Sequence, residues 1–144
     1  MQYYVMDFSS FYKRYAQEFP LGLKTVYGDL APEPGLNDFR PFFPGSFVVT
    51  VLDGDKFVGA SCSYTCSSPV MKGGEYATNL FIYVKPEYRN TLVPGRLIKT
   101  TEKVAKKKGI KSYCWDVDSS SPLVPALNKR PEYKVESIVY RKTL

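Results

Sequence analysis

The sequence predicts a mixed α/β fold, and three observations predict it. β-branched and aromatic runs mark several strands, two of them joined by the strong hairpin signal Asp53-Gly54-Asp55. From Pro94 to Lys108 the apolar positions Leu97, Ile98, Thr101, Val104 and Ala105 recur at helical spacing, with lysines on the other face. That helix separates an apolar strand, Thr78 to Val84, from another, Tyr113 to Val117, and a strand-helix-strand crossover requires a parallel pair inside an otherwise antiparallel sheet. At 144 residues the chain fits one domain, residues 1–144, with a core of its own.

The elements read in order as follows. Tyr3 to Phe8 forms a short strand, and Ser9 or Ser10 offers an N-cap for a helix carrying Phe11, Tyr12, Tyr15 and Phe19 up to Pro20. A second short helix covers Leu21 to Leu30. The stretch APEPGLNDFRPFFPG is an ordered loop whose Phe39, Phe42 and Phe43 pack on the sheet or line a pocket. Phe47 to Leu52, Lys56 to Cys66 and Thr78 to Val84 make a three-stranded meander. Gly109 ends the long helix as a C′ residue. Pro122 to Arg130 reads as a weak helix, and Val135 to Arg141 as a closing strand.

Composition narrows the chemistry. There is no histidine, which removes the usual catalytic base, the usual activator of Cys or Ser, and the commonest zinc ligand together. Reactions in which positioning carries most of the rate remain, transfer from a pre-activated thioester among them. The three cysteines read as small residues of the interior; Cys62 and Cys66, four apart on a strand, are too distant to bridge. The opening MQYYVMDFSSFYKRY lacks the order of a secretory signal, and no apolar run approaches the roughly 20 residues of a spanning helix, so a cytoplasmic location away from the membrane is expected.

The net charge is +6, and between Lys85 and Lys111 the basic residues face only Glu87 and Glu102. Such a segment is either a solvated surface or a place for an anionic ligand. Lysines along one exposed face with no recognised motif argue against nucleic acid.

The stretch LFIYVKPEYRNTLVPGRLIKTTEKVAKKKGI, Leu80 to Ile110, resembles the central segment of the GNAT acetyltransferases. In that family an apolar strand ends in Val-x-Pro-Glu-Tyr-Arg, a phosphate loop follows, and an amphipathic helix closes with Lys-Lys-x-Gly. Ser121-Pro122 and LNKRPEYKV resemble the family's later helix start and ending more weakly. The loop is also similar to those of GNAT-like proteins encoded by bacteriophages, which implies a host cytoplasm or a virion as its place.

The resemblance implies a twisted, mostly antiparallel sheet with one parallel central pair splayed around acetyl-CoA, flanked by helices. It implies main-chain pairing of the pantetheine arm with Ile82, Tyr83 and Val84. It places the diphosphate of coenzyme A on the loop and helix start formed by Arg89, Asn90, Thr91, Leu92, Val93, Gly95 and Arg96, where free amides and the macrodipole favour an anion. Ser121 and Asn128 fall at further cofactor positions. The loop departs from the family where two small residues are replaced by Leu92 and Pro94, and Pro94 offers no N–H. Arg96 offsets that loss through two guanidinium donors.

The implied reaction is N-acetyl transfer to an amine by direct attack. The central strand carries no acid, so Glu75, Asp116 or Asp118 is the base, acting through water. Asn128 occupies the family's tyrosine acid position, with Tyr133 and Tyr140 as substitutes. Cys114, in an apolar strand without a histidine, is not a nucleophile. The alternative is a GNAT-fold binding or structural protein without transfer activity. The acceptor, a small molecule or a protein, is left open, as is a protein partner or homodimer.

Overall fold

A computed structural model describes residues 1–15, 18, 45–67, 75–140 and 142–144. The expected second helix and the Pro-rich loop with its three phenylalanines lie outside these residues. Among the described residues five strands form one sheet in the order β1 (Gln2–Met6), β2 (Phe47–Asp53), β3 (Lys56–Ser67), β4 (Glu75–Val84), β5 (Tyr113–Cys114). All neighbours are antiparallel except β4 and β5, which run parallel. Helix α1 (Phe8–Tyr15) follows β1, α2 (Val93–Lys107) crosses from β4 to β5, and α3 (Leu123–Asn128) comes last. Among the described residues no helix is long and apolar enough to cross a membrane.

Both faces of the sheet are covered, which is why FVVTVL in β2 is apolar without strict alternation. Phe47, Val49 and Val51 point to the side of α2, where they cluster with Val58, Ala77, Val93, Leu97 and Ala105. Val48 points the other way, with Phe8 and Phe11 of α1 against Phe57, Cys62 and Phe81. The Phe11 ring makes tilted contacts with Phe57 at 6.2 Å and with Phe81 at 5.9 Å. Between α2 and the sheet, Ser61 and Thr101 are buried and satisfied, whereas the Tyr3 hydroxyl is buried with no partner among the described residues. The Thr101 hydroxyl donates to the Leu97 carbonyl at 2.8 Å, so Ser61 supplies the proton of the 2.5 Å bond joining helix to sheet.

Local signals explain most boundaries. Asp7, not Ser9 or Ser10, caps α1: its carboxylate accepts from the Ser10 amide at 2.8 Å and from the Ser10 hydroxyl at 2.7 Å. Those bonds hold the Asp7 carboxyl below its ordinary range, the amide first. Gly109 adopts φ +85° at the end of α2, and the bonds Gly109 N–H to Lys106 and Ile110 N–H to Ala105 complete a Schellman motif.

Three expectations need correction. β5 covers two residues instead of Tyr113 to Val117, because the main chain of Asp116 is taken up by a side chain of β4. The helix expected from Pro122 to Arg130 spans only Leu123–Asn128 and buries no residue, so little packing holds it. Val135 to Tyr140 form no strand, and Val135, Ile138, Val139 and Tyr140 are 70 to 89% exposed. β-propensity needs a ladder to join, and this segment has no partner strand among the described residues.

Gly59 stands opposite Val84, where a side chain has no room. A Cβ there would stand 2.5 Å from the Tyr83 carbonyl oxygen, so Gly59→Ala should destabilise the fold and disturb the end of β4. Leu97→Ala, at a site with no exposure, should cost about 2–5 kcal/mol. Urea unfolding of the two variants measures both effects.

Candidate functional site

β4 and β5 pair at two positions only, Ala77 with Tyr113 and Thr78 with Cys114. One residue later the Asn79 carboxamide bonds to the main chain of Asp116 at both ends, each at 2.8 Å. At the same level the β3–β4 register slips between Cys62 and Ser63, leaving Leu80 as an extra residue on β4, and such a bulge bends its strand. Beyond this point a cleft of about 810 Å³ opens, lined on one side by Ile82, Tyr83 and Val84 and on the other by residues from Asp116 to Leu123.

The start of α2 forms one end of the cleft, with Thr91, Leu92, Pro94 and Gly95 in its lining. Here the chain leaves β4 through a 3-10 turn, Pro86–Tyr88, and Thr91 anchors the loop by donating its hydroxyl to the Tyr88 carbonyl at 2.6 Å. Among the described residues the amides of Leu92 and Gly95 have no acceptor. The Val93 amide is used by the Thr91 hydroxyl at 3.2 Å, and the Val93 side chain belongs to the core. Leu92 borders the cleft mouth with its side chain 71% exposed. Asn90 sits in the exposed turn and is not part of the lining.

Three guanidinium groups, Arg89, Arg96 and Arg130, line the same cleft, and among the described residues none has a carboxylate in salt-bridge range. Arg89 is held by its Nε, which donates to the Val84 carbonyl at 2.8 Å, and by the Tyr83 ring beneath it. The Val84 carbonyl is thereby occupied, whereas the sequence reading had offered it to a ligand. Arg130 was missed by the sequence reading. It follows α3, and its Nη2 stands 3.5 Å from where a Cβ on Gly95 would be, directly over the first turn of α2. The signal in the sequence was a lone arginine past a weak helix, and nothing local says which way it faces. Two free amides, a helix start and three guanidinium groups make a donor set that suits a diphosphate such as that of coenzyme A.

Carboxylates sit further along. Asp116 and Asp118 both line the cleft and are exposed to solvent; Asp118 also caps a turn by accepting from the Ser120 amide at 2.8 Å. Glu18 and Lys85 form an ion pair at 3.2 Å, with Glu18 in the cleft wall. Ser121 is in the lining, but its hydroxyl is tied to the Leu123 amide at 3.2 Å. The structure does not bring the remaining candidates here. Glu75 is exposed at the paired end of β4, remote from the cleft, because the split begins only after Thr78. Asn128 is exposed on α3 outside the lining, since a six-residue helix turns only Leu123, Ala126 and Leu127 toward the cleft. Tyr133 donates its hydroxyl to Glu102 at 2.5 Å, beside the Trp115 indole bonded to the same oxygen, and Tyr140 lies in the exposed tail. Burial raises the Cys114 thiol, which fits an inert cysteine.

The model of the acetyltransferase (GNAT) family matches residues 8–126. No curated protein matches the sequence significantly. Among solved structures, an aminoglycoside acetyltransferase, meta-AAC0020, from an uncultured soil metagenomic sample superposes with TM-score 0.74 at 13% identity, over 99% of this chain and 95% of that one. AAC(6')-Iy in complex with the bisubstrate analog CoA-S-monomethyl-acetylneamine gives 0.72 at 12% identity, over 100% of both chains. The aminoglycoside antibiotic 6'-N-acetyltransferase AAC(6')-Ih from Acinetobacter baumannii gives 0.70 at 16% identity, over 99% of both chains. At these identities the likeness is one of fold.

Burial first, and then the Glu102 carboxylate, push the Tyr133 hydroxyl from 10.0 to about 12. A raised acid keeps its full contribution to stability below the unfolded value and loses it as pH climbs to the folded one. Between about pH 10 and pH 12, Tyr133→Phe should therefore flatten part of the fall in stability, as read from urea midpoints of the two proteins along that range.

Proposed function

The chain belongs to the acetyltransferase (GNAT) family, and from that premise we propose that it moves an acetyl group from acetyl-CoA to an amine by direct attack, with no covalent enzyme intermediate. When bound, acetyl-CoA supplies a thioester whose carbonyl carbon an amine can attack. The observation that carries the reading is the open split between β4 and the chain after β5, with unpaired donors of α2 at one end and carboxylates along its wall.

Each residue's task follows from its place. The amides of Leu92 and Gly95, with Arg89, Arg96 and Arg130, hold the diphosphate, and the guanidinium groups make up for the donor that Pro94 lacks. The free edge of β4 at Ile82 and Tyr83 aligns the extended arm as an added strand would. Asp116 takes the proton of the acceptor's ammonium through water, because it lies just past the closed end of the split and its main chain is fixed on Asn79. The freed amine then attacks the thioester carbonyl; as the C–N bond forms and the C–S bond breaks, the nitrogen's second proton passes to the departing sulfur, which leaves as the thiol, while the first stays with the carboxylate. The acceptor is an amine, and an aminoglycoside is a sensible first compound to assay given what the similar structures are described as acting on.

A second reading is that the protein binds without transferring. It is favoured by Tyr133 being tied to Glu102 and Asn128 lying outside the cleft, which leaves neither beside the leaving sulfur. Calorimetry with acetyl-CoA and a transfer assay separate the two. The transferase reading expects micromolar-range binding, weakened about tenfold or more in Arg96→Ala and in Arg130→Ala. It expects Asp116→Asn to bind acetyl-CoA normally and to transfer about 10²-fold or more slowly. Binding with no transfer to any amine supports the second reading; saturating acetyl-CoA that gives no heat sinks the transferase reading and supports the second further.

A further inference from the structure

The split in the sheet depends on a graded exchange of main-chain bonds for side-chain bonds. At Ala77 the main-chain N–H of β4 donates to the Ser112 carbonyl at 3.0 Å. At Thr78 a hydroxyl takes over and donates to the Cys114 carbonyl at 2.8 Å. At Asn79 the side chain does everything: Nδ2 donates to the Asp116 carbonyl and Oδ1 accepts from the Asp116 amide, both at 2.8 Å. A carboxamide carries the same donor and acceptor as a peptide group, so it satisfies Asp116 as a backbone partner would while standing one side chain further out. Asn79 itself is only 8% exposed, and both of its polar atoms are used.

We infer that Asn79 is the positioning residue of the cleft: its carboxamide ends the β4–β5 ladder, holds the two chains apart, and fixes the main chain that carries the Asp116 carboxylate. The alternatives at this position each lose something definite. Alanine leaves the Asp116 amide and carbonyl without partners, and aspartate retains the acceptor but lacks the donor. Glutamine keeps both groups on a longer arm. The neighbouring bulge at Leu80 bends β4 at the same level, but a bulge offers nothing to Asp116, so it does not replace the clasp.

The consequence for the ligand rests on the acetyl-transfer reading, and the experiment keeps the two apart. Coenzyme A binding is measured by calorimetry, and amide hydrogen exchange at Asp116 and at Val49 is followed in wild type, Asn79→Ala and Asn79→Gln. The inference expects Asn79→Ala to bind coenzyme A about tenfold or more weakly and to exchange its Asp116 amide about tenfold or more faster. The Val49 amide, deep in β2, should keep its wild-type protection, and Asn79→Gln should recover protection at Asp116. Wild-type affinity and wild-type exchange at Asp116 in Asn79→Ala would overturn it. If Asn79→Ala does not fold, the near-isosteric Asn79→Leu decides: an Asp116 amide that exchanges about tenfold or more faster while Val49 stays protected supports the clasp, and wild-type exchange at Asp116 refutes it. Wild-type protein that takes up no coenzyme A sinks the transferase reading instead, and the exchange comparison still decides the role of Asn79.

Discussion

Parallel strands cannot share a tight turn, so once β5 lies beside β4 in the same direction the chain between them must cross a face of the sheet, and α2 makes that crossing. The crossing fixes where the helix begins. It begins past the end of β4, on the side where β4 has lost its neighbour, and so its unpaired amides face an opening in the sheet. The helix is held there by Val93, Leu97 and Ala105 against Val49, Val51 and Val58, and by the bond from Ser61 to Thr101. Loss of that packing would leave the amides without a fixed direction.

The charge distribution follows the same geometry. Lysines of α2 such as Lys103, Lys106 and Lys107 lie on its outer face or in its last turn, where they favour solvent and the helix dipole. The arginines do something else, since Arg89, Arg96 and Arg130 come from a loop, a helix and a post-helical turn and converge on one place. Planar guanidinium groups with no carboxylate partner among the described residues, beside a helix start, make a strong local field for an anion. A loop that has given up one N–H to proline and set a leucine where a small residue is usual has thereby kept its donors by other means.

Legibility in the sequence tracked whether a signal was local. The hairpin at Asp53 to Lys56, the amphipathic face of α2 and the glycine that ends it are written in neighbouring residues, and so is the crossover that demands a parallel pair. Arg89, Leu92, Gly95 and Arg96 were found for the same reason, being one stretch of chain. Arg130 and Asn79 were not, because each acts on a segment about 35 residues away, and no spacing rule reaches that far. Asn128 and Tyr133 were placed by alignment to a pattern whose ending this chain does not keep, and Pro131 and Glu132 lie between α3 and Tyr133 where the pattern has helix and glycine. The tail misled because Val135 to Tyr140 have strand composition yet pair with no strand among the described residues.

That tail has a bearing on how the protein behaves in bulk. Ile138, Val139 and Tyr140 form a run of β-favouring side chains exposed to water, the sort of segment that associates with itself when chains are crowded. Charged residues flank it, Lys134 and Glu136 before and Lys142 after, and such gatekeepers oppose stacking through repulsion and the cost of desolvating charge. High salt screens these flanking charges and so weakens their opposition to stacking of the tail.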